Sequence, residues 1–162
     1  MNQAHIHLLI THLPIFGSIL GVLVLSHGIW TKSNQTMVAA YNLFILSAIG
    51  AGIAYLTGEG AEEAVENIQG IAEATIEKHE DFALFALISI IILGVASLIG
   101  LLATLSKSTW IRTLAFVVLF IALFSFTIAA RTGYLGGQIR HTEINTNNQL
   151  NTTPHQTEVD NE

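Results

Sequence analysis

The chain has 162 residues, of which 51% are apolar and only 11% are charged, with 12 acidic and 6 basic side chains and no cysteine. An ordinary soluble domain carries about 25% charged residues, so this composition predicts a membrane protein. The lack of cysteine excludes disulfide bonds, cysteine-ligated zinc or iron–sulfur sites and a thiol nucleophile. The formal net charge of −6 argues against a nucleic-acid partner.

The charged residues are distributed unevenly and leave four long apolar stretches. Each stretch is close to the ~20 residues that a helix needs to cross ~30 Å of hydrocarbon, and a helix satisfies its own backbone hydrogen bonds. Helices buried in a soluble bundle would carry a polar stripe, which these stretches lack. The sequence therefore predicts an all-α, integral membrane four-helix bundle with spans at residues 8–30, 37–57, 82–105 and 113–130.

The remaining segments complete the domain organisation. Residues 58–81 place apolar side chains at helical spacing and glutamates mostly on the opposite face, which predicts one extramembrane, amphipathic, acidic helix between spans two and three, with Gly70 as a point where it would break. Residues 145–162 are rich in Asn, Thr and Gln, a composition typical of disorder. We therefore expect a four-span membrane domain at residues 1–144, followed by a polar tail.

The loop charges predict the orientation of the spans. An even number of spans places both termini and the long second connection on one side, and all 12 acidic residues fall there. The two short connections carry Lys32, Lys107 and Arg112 and no acid. The positive-inside rule then places the short connections in the cytoplasm, although the raw basic counts are equal on the two sides. This predicts a multi-pass protein of the bacterial inner membrane with both termini periplasmic.

Six of the seven histidines share the acidic side and come from several spans, which predicts a cofactor site at that end. Histidine is the commonest metal ligand, neutral imidazole also ligates haem iron, and bundles build such sites from facing helices. His27 alone lies at the other end, which argues against two stacked haems. We expect one haem b, with a single transition-metal ion, or no cofactor, as the alternatives.

The residues expected at this site divide by role. Histidine rings would supply the cofactor ligands, and arginines would pair with haem propionates or another anion. A single ion would also draw on carboxylates. The predicted cofactor-binding residues are His7, His12, His79, His141, Arg131 and Arg140, and the predicted metal ligands are His12, His79, Glu59 and Glu80.

No motif predicts turnover by this chain alone. The serines of the spans lie far from the acidic residues, no phosphate-binding loop is present, and the spans lack the midplane ionisable groups of a transporter. We therefore expect a subunit linked to electron transfer. The alternative is a non-catalytic structural or interaction subunit, whose acidic helix docks a basic periplasmic or membrane redox partner.

Small residues and one proline mark the packing of the first span. Gly17 and Gly21 form a GxxxG pattern, which favours close packing within the chain over a contact in a homo-oligomer. Pro14 follows His12 and is compatible both with a kink and with the first turn of a helix.

Several short motifs together resemble a known family. Residues 7–15, Thr57-Gly58-Glu59, His79-Glu80 and residues 132–141 are similar in order and spacing to motifs of a bacterial family of small four-span membrane proteins of unknown function. The resemblance covers about residues 5 to 143. Family members often have Pro and Phe where this chain has Leu8 and Leu13. Some are fused to c-type cytochrome domains, which implies a link to electron transfer. The positions matched to the family motifs are His7, His12, Glu59, His79, Glu80, Gly136, Gly137 and His141.

Overall fold

A computed structural model describes residues 2–66 and 73–140. These residues form helices throughout and include no strand. Four helical stretches are long and apolar enough to cross a membrane, and they confirm the predicted all-α bundle of four spans. The helices are α1 (Gln3–Ile10), α2 (His12–Trp30), α3 (Asn34–Leu56), α4 (Gly58–Glu66), α5 (Glu73–Leu105) and α6 (Ile111–Arg140).

The four long helices form a closed ring in which α2 packs on α3, α3 on α5, α5 on α6 and α6 on α2. The centre is apolar, and Leu25, Phe44 and Leu93 are fully buried there. Large apolar side chains also cover the outside, where Phe120 is 76% exposed. A surface of this kind suits hydrocarbon rather than water, so the four spans make a multi-pass bundle in contact with lipid.

Glycines on α2 let α3 approach closely. A Cβ on Gly17 would overlap the side chain of Ser47, and one on Gly21 would overlap the ring of Phe44. Close backbone approach of this kind is what small-residue patterns provide in membranes. The prediction that the GxxxG pattern serves packing within the chain is confirmed.

The first predicted span is interrupted at Thr11, between α1 and α2. Thr11 keeps helical dihedral angles (φ −59°, ψ −24°), and Pro14 follows as the third residue of α2. Because proline has no N–H to donate to the carbonyl of Ile10, it accounts for a local interruption of the helix here. The short helix α1 packs on α4 and α3 instead of only continuing the line of α2. Gly60 of α4 leaves room for the side chain of Gln3. Consequently α1 lies over the polar end of the bundle.

The structure confirms an extramembrane helix between spans two and three, but it divides the predicted segment at residues 58–81 between two helices. Its first part is α4, but from Glu73 onward the chain already belongs to α5, whose 33 residues continue through the third span. Nothing in the residues from Glu73 to Phe82 breaks a helix, so the backbone bonds run on past the apolar boundary. Gly70 and the polar tail at 145–162 lie outside the described residues.

The helix of the fourth span is also longer than its apolar stretch, since α6 continues through Arg140. Two of its glycines lie under neighbouring side chains: a Cβ on Gly133 would lie 2.6 Å from Ile15 Cδ1, and one on Gly136 would lie 3.0 Å from His79 Cε1. The extensions of α5 and α6 carry polar residues beyond the apolar part of the bundle. They build the site described below.

The two short connections share one backbone geometry. Lys32 and Lys107 adopt positive φ angles of 57° and 55°. In each turn the next residue closes a six-residue bond, from Ser33 N–H to Gly28 O and from Ser108 N–H to Ala103 O, both at 3.0 Å. These are Schellman caps, which satisfy carbonyls left free at a helix C-terminus.

Candidate functional site

His7 is held at the polar end by the last turn of α3. Its Nδ1 lies 2.8 Å from the carbonyl oxygen of Ala54. A carbonyl only accepts, so Nδ1 carries the proton and donates it. Ala54 lies within the last four residues of α3, whose carbonyls have few partners inside the helix, and His7 therefore serves as a cap. The ring is half-buried.

His79 repeats this arrangement in the other half of the bundle. Its Nδ1 lies 3.1 Å from the carbonyl oxygen of Thr132 on α6. The ring lies flush against α6 because Gly136 has no side chain; a Cβ there would lie 3.0 Å from His79 Cε1. The hydroxyl of Thr132 shares its one proton between the carbonyl of Phe82 on α5, 3.1 Å away, and that of Ile128 on its own helix, 3.0 Å away. His79 is consequently fixed by two independent contacts with α6.

His7 and His79 have the same hydrogen-bonding arrangement and lie at the same end of the bundle. In each, the bond from Nδ1–H to a carbonyl sets the tautomer and leaves the lone pair on Nε2. Within residues 2–66 and 73–140, no hydrogen bond engages Nε2 of His7 or His79. The rings are also electrostatic neighbours, since a charge on His7 acts on His79. The geometry therefore offers two oriented imidazole rings, from α1 and α5, at the same end of the bundle.

A pair of carboxyl groups joins α4 to α5 beside this site. Glu80 follows His79 directly, and Glu62 of α4 hydrogen-bonds to it. This hydrogen bond raises the pKa of Glu62 above its ordinary value, and partial burial and repulsion by Glu80 act in the same direction. The sequence placed the glutamates of α4 on a solvated face. Pairing of Glu62 with Glu80 was missed because it joins side chains from separate helices, for which no local pattern gives a signal.

His12 is placed differently from His7, although both open the first span. It is exposed, its Nδ1 lies 3.1 Å from the carbonyl of Leu8, and its ring stacks on Phe16 with centroids 6.4 Å apart. The contacts that hold His12 therefore come from its own part of the chain. The structure does not join it to the ring pair of His7 and His79.

The remaining predicted site residues are scattered. Arg131 is exposed, and its guanidinium lies 5.8 Å from the ring centre of Phe82 and 5.3 Å from that of Tyr134. Glu59 is exposed in the first turn of α4, where its charge suits the helix dipole. The side chain of Arg140 and all of His141 lie outside what the structure describes.

Among the described residues, no group of three or more His, Asp or Glu side chains is arranged to hold a metal ion. Besides the pairing of Glu62, the carbonyl acceptors of Ala54 and Thr132 were not predicted. A signal for them exists, because Thr-Gly occurs at residues 57–58 and 132–133, near the end of span two and just past span four. Comparisons of the chain with protein-family models, with curated proteins and with solved structures find no match.

Proposed function

We propose that the chain is a membrane-embedded subunit that binds one haem b at its polar end, through His7 and His79, and takes part in electron transfer. The observation that supports this most is the pair of imidazoles from different helices, each with Nδ1 bonded to a carbonyl. That bond orients a ring and increases the basicity of Nε2, as is usual for histidine ligands. Two imidazoles are sufficient as axial ligands, whereas a single ion normally needs three or more protein ligands.

Haem, when bound, supplies reversible one-electron transfer. The chain's own residues would determine the ligand geometry and the polarity around it. Ala54 and Thr132 hold the rings, and Gly136 lets the His79 ring lie against α6. The short helix α1, which carries His7, packs on α4 and α3 at this end of the bundle. A single transition-metal ion is the alternative cofactor, with Glu80 next to His79 as an additional donor.

We also propose an orientation of the bundle in the membrane. The opposite end carries Lys32 and Lys107 in its two turns and Arg112 in the first turn of α6, where Arg112 donates to the carbonyl of Ile29 at 2.9 Å. Basic short loops favour the cytoplasmic side. The proposed site would then face the periplasm of a bacterial inner membrane, with both termini on that side.

The absorption spectrum of the protein, purified in mild detergent from cells that make haem, tests the proposal. We expect a Soret band with one iron per chain in the wild type. His7→Ala and His79→Ala should each abolish or strongly shift the band. His12→Ala is a matched control in the same span and should keep it, because His12 contacts neither ring.

Two outcomes would overturn the haem proposal. One is a wild type without a Soret band; in that case a stoichiometric metal would support the single-ion alternative and the absence of one would reject both. The other is a Soret band that survives both His7→Ala and His79→Ala. Thermal unfolding of each variant shows whether loss of the band reflects loss of the fold.

A second candidate function rests on the acidic surface at the same end. The carboxylates of Glu59, Glu63, Glu73, Glu77 and Asp81 are all exposed on α4 and the start of α5. Like-charged surfaces of this kind speed association with a partner of opposite charge. In this account the chain is an interaction subunit for a basic redox protein, with or without a cofactor of its own.

Binding of a basic soluble cytochrome c at low and high salt tests this second candidate. We expect Glu63→Lys with Glu77→Lys to weaken binding severalfold at low salt. Gln35→Lys, an exposed position at the opposite end, is the control for added positive charge. Binding that is unchanged by the double reversal, or equally weakened by the control, would contradict a docking surface at α4 and α5.

A further inference from the structure

A groove of about 300 Å³ opens on the outer face of the bundle between α5 and α6. Both helices belong to candidate membrane spans, so the groove faces the region that lipid would occupy. Phe85 and Phe124 are 62% and 61% exposed at its walls. The walls are Phe85, Ile88 and Ile92 of α5 and Phe120, Phe124 and Ile128 of α6.

Two buried serines at the floor explain why the groove exists. Ser125 Oγ donates to the carbonyl of Ser89, 3.0 Å away on the facing helix, and Ser89 Oγ donates to the carbonyl of Ala86 at 2.9 Å. The first bond joins the helices, while the small side chains leave the space above them unfilled. Both hydroxyl protons are used within the protein. The groove therefore offers a ligand apolar contacts and suits a hydrocarbon chain.

A cation stands at the polar end of this groove. Arg131 lies three residues beyond Ile128 on α6, and Phe82 lies three residues before Phe85 on α5, so each is one turn further along the same helix face. The guanidinium of Arg131 lies against Phe82 and Tyr134 and remains exposed. The groove is therefore apolar and ends at the exposed guanidinium of Arg131. This arrangement suits an amphiphile whose apolar chain lies in the groove and whose anionic head group contacts Arg131.

We propose that this groove binds one acyl chain of an anionic phospholipid, whose phosphate pairs with Arg131. Arginine presents several donors in a planar fork, which suits a phosphate oxygen pair. The aromatic rings on either side of the guanidinium restrict its rotamers and so reduce the entropy lost on binding. This site is separate from the ring pair of His7 and His79 and does not depend on any cofactor there.

Native mass spectrometry of the full chain, titrated with phosphatidylglycerol or phosphatidylcholine, measures the affinity. We expect one lipid per chain to bind first, with phosphatidylglycerol favoured about fivefold, the effect of one basic residue near a lipid phosphate. Arg131→Gln should remove most of this preference, because phosphatidylcholine, whose choline group offsets the charge of its phosphate, should lose less affinity than phosphatidylglycerol.

A second variant tests the groove itself. Ile88 is 49% exposed on its wall, so Ile88→Trp adds a large side chain into the groove without entering the core. This substitution should weaken the binding of both lipids severalfold. Leu23→Trp, on the outer face of α2 where Leu23 is 60% exposed, is the matched control and should bind as the wild type does. Equal affinity for both lipids in the wild type, or unchanged binding by Ile88→Trp, would overturn the proposal.

Discussion

At the scale of single residues, buried serines in the spans differ in how their hydroxyls are satisfied. Ser125 Oγ donates across the α5–α6 interface to Ser89 O, and both residues are buried. Ser97 Oγ is fully buried and has no hydrogen-bond partner among the described residues. A hydrogen bond between helices in a membrane contributes about 0.6–1.7 kcal/mol, whereas an unpaired buried hydroxyl costs free energy.

The two serines predict opposite effects of the same substitution. We expect Ser97→Ala to raise the free energy of unfolding by about 1 kcal/mol, because it removes an unpaired polar atom. Ser125→Ala should lower the free energy of unfolding by about 1 kcal/mol, because it removes the bond between α5 and α6. Thermal unfolding in one detergent compares both with the wild type. A Ser97→Ala variant less stable than Ser125→Ala would contradict this assignment.

From the sequence we could predict which side chains lie at the polar end of the bundle, but not which way each of them points. His7 and His79 precede spans that run the same way, so their arrival at one end follows from the number of spans. His12 follows from the same argument, yet it is exposed and contacts its own helix turn. On one continuous helix His7 and His12 would already point about 140° apart. No sequence pattern sets the helix geometry at Thr11, which lies between them.

At the scale of helical elements, the short turns carry residues that their backbone disfavours. Lys32 and Lys107 occupy the left-handed position of Schellman caps, where glycine is the usual residue. An L residue other than Gly, Asn or Asp costs about 1 kcal/mol there. These two lysines therefore lower the stability of the fold slightly.

Replacing these lysines measures that cost. We expect Lys32→Gly and Lys107→Gly each to raise the free energy of unfolding by up to about 1 kcal/mol. Lys32→Ala is the control, because it removes the charge but keeps the strained side chain position, and it should give no gain. A glycine variant no more stable than the alanine variant would show that the turn geometry is not strained.

The hydrogen bond between Glu62 of α4 and Glu80 of α5 should depend on pH. The hydrogen bond with Glu80 raises the pKa of Glu62, so the folded protein holds this proton more tightly than the unfolded chain does. The stabilisation is fully present below the ordinary glutamate pKa and is lost as the pH rises through the raised value. Neutral pH therefore loosens α4 and acid tightens it.

Hydrogen exchange of the α4 backbone across this pH range, corrected for intrinsic rates, is the appropriate measurement. We expect protection of α4 to fall as the pH rises to neutrality in the wild type. Glu62→Gln keeps a proton donor at every pH, so its protection should stay nearly constant. Parallel pH dependence in the wild type and in Glu62→Gln would exclude the carboxyl pair as the cause.

The limits of the helices show where sequence reasoning stops. The four spans were predicted because a charge-free run of sufficient length has few other stable forms in lipid. The ends of the helices were not predicted: α5 already includes Glu73 and α6 still includes Arg140, whereas the predicted spans cover residues 82–105 and 113–130. A helix extends into water without penalty when the polar residues beyond the apolar run are good helix formers. Hydropathy alone therefore marks the membrane boundary rather than the end of the helix.

At the scale of the whole molecule, the bundle consists of two helical hairpins with related features. In the first, a lysine turn joins α2 to α3 and His7 caps the α3 carbonyl of Ala54. In the second, a lysine turn joins α5 to α6 and His79 bonds to the α6 carbonyl of Thr132. Each hairpin thus offers one imidazole at the same end. This pairing is the basis of the proposed cofactor site, which the sequence suggested only as a cluster of histidines.

Near-infrared magnetic circular dichroism of the oxidised, purified protein tests the central proposal most directly, because it identifies the two axial ligands of a low-spin haem iron. Our account predicts the charge-transfer band of an iron with two neutral imidazole ligands, and its disappearance in His79→Ala but not in His12→Ala. A protein that gives no haem-iron signal, or a signal from any other ligand pair, would contradict it.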